Sequence, residues 1–159
     1  MITKQEAREN ALKFLDNNPV GVIATSDSSG QPFASAVYYA VKNDFTIYFL
    51  TSHSTHKHSN IVQNNKVGFT VGIGPQYTSV ELRGQAVIVS GAELDEASSL
   101  LVKVQLRVPM VKWPLERIEA LKKGGLELYK IIPEQATYMN LDSDEQIDSL
   151  SNFVYQIVP

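Results

Sequence analysis

Apolar positions along this chain switch between two periods, and the switches mark its elements. In the first stretch, Thr3-Lys-Gln-Glu6 has the spacing of a capping box, and Ala7, Ala11, Leu12, Phe14 and Leu15 then recur at helical spacing as far as Asn17-Asn18-Pro19. This predicts an amphipathic first helix. Three β-rich runs follow, VGVIATS (20–26), PFASAVYYAV (32–41) and FTIYFLT (45–51), separated by the turn-forming clusters Asp27-Ser-Ser-Gly30 and Lys42-Asn-Asp44. Strands joined by such short links form an antiparallel meander, because parallel pairing needs long crossovers.

Thr55 to Asn64 reads as a short helix with Ser54 or Thr55 as N-cap, and KVGFTVGI (66–73) and YTSVELRGQAVIVS (77–90) return to strand character. Gly84, inside the second of these, predicts a bulge or bend where a strand turns a barrel corner. Helical segments are predicted over 93–106 and 115–123, the latter stopped by Gly124-Gly125. LELYKII (126–132) and QATYMNL (135–141) read as two strands around Pro133, and the apolar tail FVYQIV (153–158) is expected to pack or add a strand. Strands outnumber helices. The expected fold is mainly β (α+β), an antiparallel barrel with peripheral helices.

The 159 residues fit one domain spanning 1–159, with no linker or internal repeat. A formal charge of −3 gives no basic field for nucleic acid. No run of about 18 apolar residues offers a membrane span, and the polar N-terminus lacks an apolar signal core. The absence of cysteine excludes disulfides, thiolate nucleophiles and iron–sulfur clusters, so a cytoplasmic location is expected.

The chemistry concentrates in one place. FLTSHSTHKHSNI (49–61) holds all three histidines, four hydroxyl residues before its lysine, and no acid. It runs from a strand end into a helix start, where unpaired N–H groups and a partial positive charge favour an anion. Thr51, Ser52, Ser54 and Thr55 add hydroxyls, Lys57 adds a full charge, and His56 and His58 add donors, so the segment reads as a phosphate cradle or, more plainly, as a capped surface helix. No Walker loop, GxGxxG, HExxH or GxSxG motif is present. A metal site at His53, His56 and His58 is not expected, since residues 56 and 58 of a helix point to different faces.

Taken in order, the helix ending in Asn-Asn-Pro, the run VGVIATSDSSGQPFASAVYY, the strand FTIYFLT and the segment HSTHKHSNIVQNNKVGFTV resemble the flavin-binding split-barrel family, which includes pyridoxamine 5′-phosphate oxidase, general stress proteins and small flavin reductases. The resemblance covers residues 5–91 and, in outline, the remainder. It implies an antiparallel split barrel, a homodimer with FMN in clefts between subunits, and an oxidoreductase acting on a small molecule or electron donor. It also implies that the strand at Ala36, Val37, Tyr38 and Tyr39 lies along the flavin ring, while Thr51, Ser52, Thr55, His56 and Lys57 hold ring edge and phosphate. At the helix start the family pattern is Ser/Thr, Arg, Lys. Here Thr55 and Lys57 keep it, and His56 stands where arginine would give a charged bidentate fork.

True pyridoxamine phosphate oxidases use basic residues near the C-terminus to hold the substrate's phosphate, whereas this chain has no Lys, Arg or His after Lys130, so vitamin B6 oxidation is not expected. The alternatives are flavin binding without turnover, a deazaflavin, and haem with His53, His56 or His58 as axial ligand. Alternation on the strand lets at most one of Tyr38 and Tyr39 face the ring. Arg83, Gln76, Tyr77, Trp113 and the acidic stretch 142–148 have plain structural explanations as strand charge, turn, anchor and solvated loop.

Overall fold

The computed structural model describes residues 2–72, 77–106, 123–141 and 154–158. The expected helix over 115–123, Gln76, Trp113 and the acidic stretch 142–148 fall wholly or mainly outside them. Helix α1 spans Lys4–Asn17, and its Thr3–Glu6 capping box forms in both directions. Strands β1 (Val20–Ser26) and β2 (Pro32–Val41) have the predicted bounds and pair antiparallel, Val20 opposite Tyr38 and Ser26 opposite Pro32.

Strand β3 starts at Ile47 rather than Phe45 and runs to Ser52. Phe45 does not extend the strand because it adopts a φ of +67° as the turn closes. That conformation carries its ring to full burial, with the Arg8 guanidinium 5.0 Å from the ring centroid. In β3, Ile47 and Phe49 face the barrel core while Tyr48 and Leu50 lie beneath a helix on the outside. Burial on both faces explains why FTIYFLT lacks clean alternation.

Helix α2 (His56–Gln63) is followed by β4 (Lys66–Val71), β5 (Thr78–Ile88) and α3 (Ala92–Leu106). Next comes one continuous strand, β6 (Leu126–Asn140), instead of two strands around Pro133. One edge of β6 pairs with β5 throughout, and the other is shared between β3 at residues 126–131 and β7 (Val154–Val158) at residues 136–139. Pro133 falls between these two partners and beside a register shift, where a missing N–H leaves no ladder donor unmade. The apolar tail therefore does add a strand.

The sheet order β3-β2-β1-β4-β5-β6 closes on itself through β3–β6, giving a six-stranded antiparallel barrel with β7 outside the ring. The interior is filled by Ile23, Tyr39, Phe49, Phe69, Val80 and Tyr129 with their neighbours, and α1 seals one end through Ala7, Ala11 and Leu15. Helix α3 lies against the outer face of β2 and β3 over a second cluster around Tyr48, Leu50, Ala97 and Leu101.

The shift at Arg83/Gly84 is the predicted bulge. A Cβ on Gly84 would sit 2.0 Å from the carbonyl oxygen of Ile132, so only glycine lets the two backbones approach this closely. Gly84→Ala is expected to cost about 1–3 kcal/mol, the usual range for overpacking, read as a lower urea midpoint with an unchanged slope.

Candidate functional site

The cradle begins where β3 ends. Thr51 and Ser52 are locked against Glu127 and Leu126 of β6, and the chain then turns as the Thr55 N–H and hydroxyl both donate to the Ser52 carbonyl, at 3.1 and 2.9 Å. Thr55, extended at φ −94° and ψ 148°, is the N-cap, and its Oγ1 accepts from the His58 N–H. Helix α2 is pinned to β1 by side chains: buried Asn60 donates to Thr25 Oγ1 at 3.1 Å and Asn64 to Ser26 Oγ at 2.9 Å.

Counting hydroxyl protons changes the sequence picture. The Thr55 proton goes to the Ser52 carbonyl, so in the 2.8 Å Thr51–Thr55 contact Thr51 must be the donor. Both threonine protons are spent internally, and these residues shape the cradle rather than donate into it. What remains is one proton of the Ser52–Ser54 pair, whose oxygens are 2.9 Å apart, the Lys57 ammonium, and the first-turn N–H groups of His56 and Lys57, which have no acceptor within the helix.

Of these, Ser52 and Lys57 border a cavity of about 660 Å³, within the range of small-molecule and cofactor sites. Ala36, Val37, Tyr38, Thr51, Ser52, Thr55 and Lys57 line it, together with Val20, Leu50 and Leu126. Seven of the nine predicted residues are thus brought together. Tyr39 is not on the wall: it points into the core, and its hydroxyl donates to one of the Leu15 and Asn18 carbonyls, each 2.8 Å away. His56 is not on the wall either, its ring centroid lying 5.1 Å from that of Phe33. Val20 was legible in hindsight, since it lies opposite Tyr38, whereas Leu126 carries no local signal at all.

The electrostatics of the wall are one-sided. Lys57 is half-buried, burial pushes its ammonium below the ordinary lysine range, and no carboxylate pairs with it among the described residues. An acid does reach the histidines, contrary to the acid-free local sequence: Glu127 of β6 lies 3.2 Å from His53 Nε2. His58 Nδ1 is 3.1 Å from the Tyr129 hydroxyl. Among the described residues no three His, Asp or Glu side chains converge as metal ligands.

A family model described as pyridoxamine 5′-phosphate oxidase matches residues 7–140, most of the chain. The chain belongs to that family. Its relative General stress protein 26 of Bacillus subtilis (strain 168) is 32% identical over 100 residues, 60% of this chain and 69% of that protein. Two solved structures share the fold of this pyridoxamine 5′-phosphate oxidase-like split barrel. The heme binding protein from Mycobacterium smegmatis superposes with a TM-score of 0.67 at 16% identity, over 86% of this chain and 55% of that one. Campylobacter jejuni ChuZ does so with a TM-score of 0.74 at 12% identity, over 99% of this chain and 61% of that one. The chain therefore spans less than two thirds of either of those two proteins.

Within this split barrel Tyr39 is a structural residue, because its phenol joins the end of α1 to β2. Tyr39→Phe is expected to destabilise the fold by about 1–3 kcal/mol, the cost of leaving a buried acceptor unmet, while ligand affinity at the cavity stays within about twofold once stability is restored by lower temperature. Parallel thermal melts and ligand titrations check both halves.

Proposed function

We propose that the cavity binds FMN and that the protein is an FMN-dependent oxidoreductase acting on a small molecule. The observation that carries this is Lys57: an ammonium desolvated on a cavity wall, without a carboxylate partner among the described residues, beside two first-turn N–H groups. Such an arrangement is completed by an anion. The neighbouring wall, formed by Val20, Ala36, Val37, Tyr38, Leu50 and Leu126, is mostly apolar and suits the faces of a flat heterocycle. Family membership supports flavin as the group that carries both.

When bound, FMN supplies the electron transfer, and the chain's own contribution is to bind, orient and exclude water. Lys57 and the α2 start would hold the phosphate, Ser52 would add a hydroxyl, and Thr51 and Thr55 would keep the turn in shape. His56 in place of the family's arginine leaves Lys57 as the main charge on the phosphate.

We read the working form as a cytoplasmic homodimer. The outward faces of β1 and β2 carry Val20, Val22, Ala24, Ala34, Ala36 and Tyr38, an apolar face where a lone barrel would be polar. Val20, Ala36 and Tyr38 also line the cavity, so a second copy covering this face would close the site.

A haem reading draws on the Mycobacterium smegmatis neighbour, but its axial ligand would come from His53, His56 or His58, none of which lines the cavity. Absorption spectra of the purified chain with FMN and with haemin separate the two, a flavin band with vibronic structure against a Soret band. Lys57→Ala is expected to weaken FMN by about 10- to 100-fold, the equivalent of losing one charged hydrogen bond of about 1.5–3 kcal/mol. Riboflavin, lacking the phosphate, should bind both forms alike. Equal FMN affinity in both forms removes the phosphate assignment.

A further inference from the structure

We propose that the buried hydrogen bond from Asn60 to Thr25 is a positioning contact, which sets the rotation of α2 about its own axis and so aims Lys57 at the cavity. The inference rests on the reading of that cavity as a phosphate site, and it names two residues off the cavity wall that act on the phosphate through the lysine. Helix α2 is about two turns long, and Ile61 is its one buried apolar residue. A single apolar anchor holds a helix to the barrel but leaves it free to roll. From Lys57 to the C-cap, Lys57, Asn60, Ile61 and Asn64 recur at the i, i+3, i+4, i+7 spacing that places side chains on one face. Burial follows the same face: Asn60 and Ile61 are buried and Lys57 and Asn64 half-buried, while His56, Ser59, Val62 and Gln63 are exposed.

Three side-chain ties hold α2 against the barrel. On the β1 side Asn60 Nδ2 donates to Thr25 Oγ1 at 3.1 Å and Asn64 Nδ2 to Ser26 Oγ at 2.9 Å, and from β6 the Tyr129 hydroxyl lies 3.1 Å from His58 Nδ1. Of the three, only the first joins two buried polar residues, Asn60 at 8% and Thr25 at 4% exposure. Thr25 is itself fixed in the β1–β2 ladder opposite Phe33, with its hydroxyl directed at the Phe33 carbonyl, 3.4 Å away. A buried amide N–H that loses its acceptor bears the full cost of desolvation, whereas one at the surface turns to water. The Asn60 tie therefore resists rolling more strongly than the other two. Lys57 lies one turn before Asn60 on the same face, so the rotation that seats Asn60 on Thr25 is also the rotation that lays Lys57 on the cavity wall. Without the Thr25 hydroxyl, Asn60 regains a partner by rolling α2 toward solvent, and Lys57 leaves the wall. Neither Asn60 nor Thr25 lines the cavity, so their effect on an anion passes through the lysine.

The test is a double-mutant cycle on the full chain, with FMN and riboflavin affinities read from flavin fluorescence for the wild type, Thr25→Val, Lys57→Ala and the double variant. Thr25→Val is expected to weaken FMN by about 3- to 10-fold and to leave riboflavin within about twofold. In the Lys57→Ala background the same change is expected to cost FMN nothing further, because the lysine through which it acts is gone. Thr25→Ser, which keeps the acceptor, should retain wild-type FMN affinity, and Tyr39→Phe, destabilised at a distance from α2, should keep the wild-type ratio of the two affinities. Asn60→Ala enters the cycle in place of Thr25→Val if the latter does not fold. Equal losses of FMN and riboflavin in Thr25→Val overturn the positioning role and leave the phosphate site standing, as does an FMN loss that persists undiminished without Lys57. Wild-type protein that binds FMN no better than riboflavin, or binds neither, removes the phosphate site and the inference with it.

Discussion

The closure of the barrel by β3 on the first half of β6 is the constraint on which the rest depends. Six antiparallel partners, from Ile47–Ile131 to Ser52–Leu126, fix the end of β3, and with it the point at which the chain leaves the sheet for α2. Without that pairing Thr51 and Ser52 would be a frayed strand end, and the Thr51–Thr55–Ser52 hydrogen bonds would have no fixed origin. The same ladder sets Leu126 on the cavity wall and brings Glu127 and Tyr129 to the histidines.

Much of this was legible because local rules governed it. The Thr3–Glu6 box, the bounds of β1 and β2, an N-cap at Ser54 or Thr55, which the structure gives as Thr55, and the bulge at Gly84 each follow from residues whose preferences agree with the final fold. Phe45 was misplaced because its apolar ring reads as strand, while its backbone takes a left-handed turn to bury that ring under Arg8. Pro133 read as a break because the sequence does not show that β6 changes neighbours at that point.

The candidate site divides in the same way. Lys57 and the first turn of α2 belong to one short segment, so their proximity needed no tertiary knowledge. Proton counting among Thr51, Ser52 and Thr55 did need it, and it turned two expected donors into scaffold. Tyr39 lay outside the cavity because strand alternation sends it inward while Tyr38 goes outward, and only the carbonyls at the end of α1 explain its hydroxyl. Glu127 is 74 residues from His53, beyond the reach of any local pattern.

That separation also orders events during synthesis. Helix α2, Lys57 and strands β1 to β5 are complete before β6 exists, so a chain emerging from the ribosome carries the cradle's charge before it carries Leu126 and the ladder that holds the cradle in place. Pairings of such long range form late and slowly. The free edge of β3 stays unpaired through that interval. The site is thus among the last parts of the molecule to become competent, and the chain's most vulnerable moment falls just before it does.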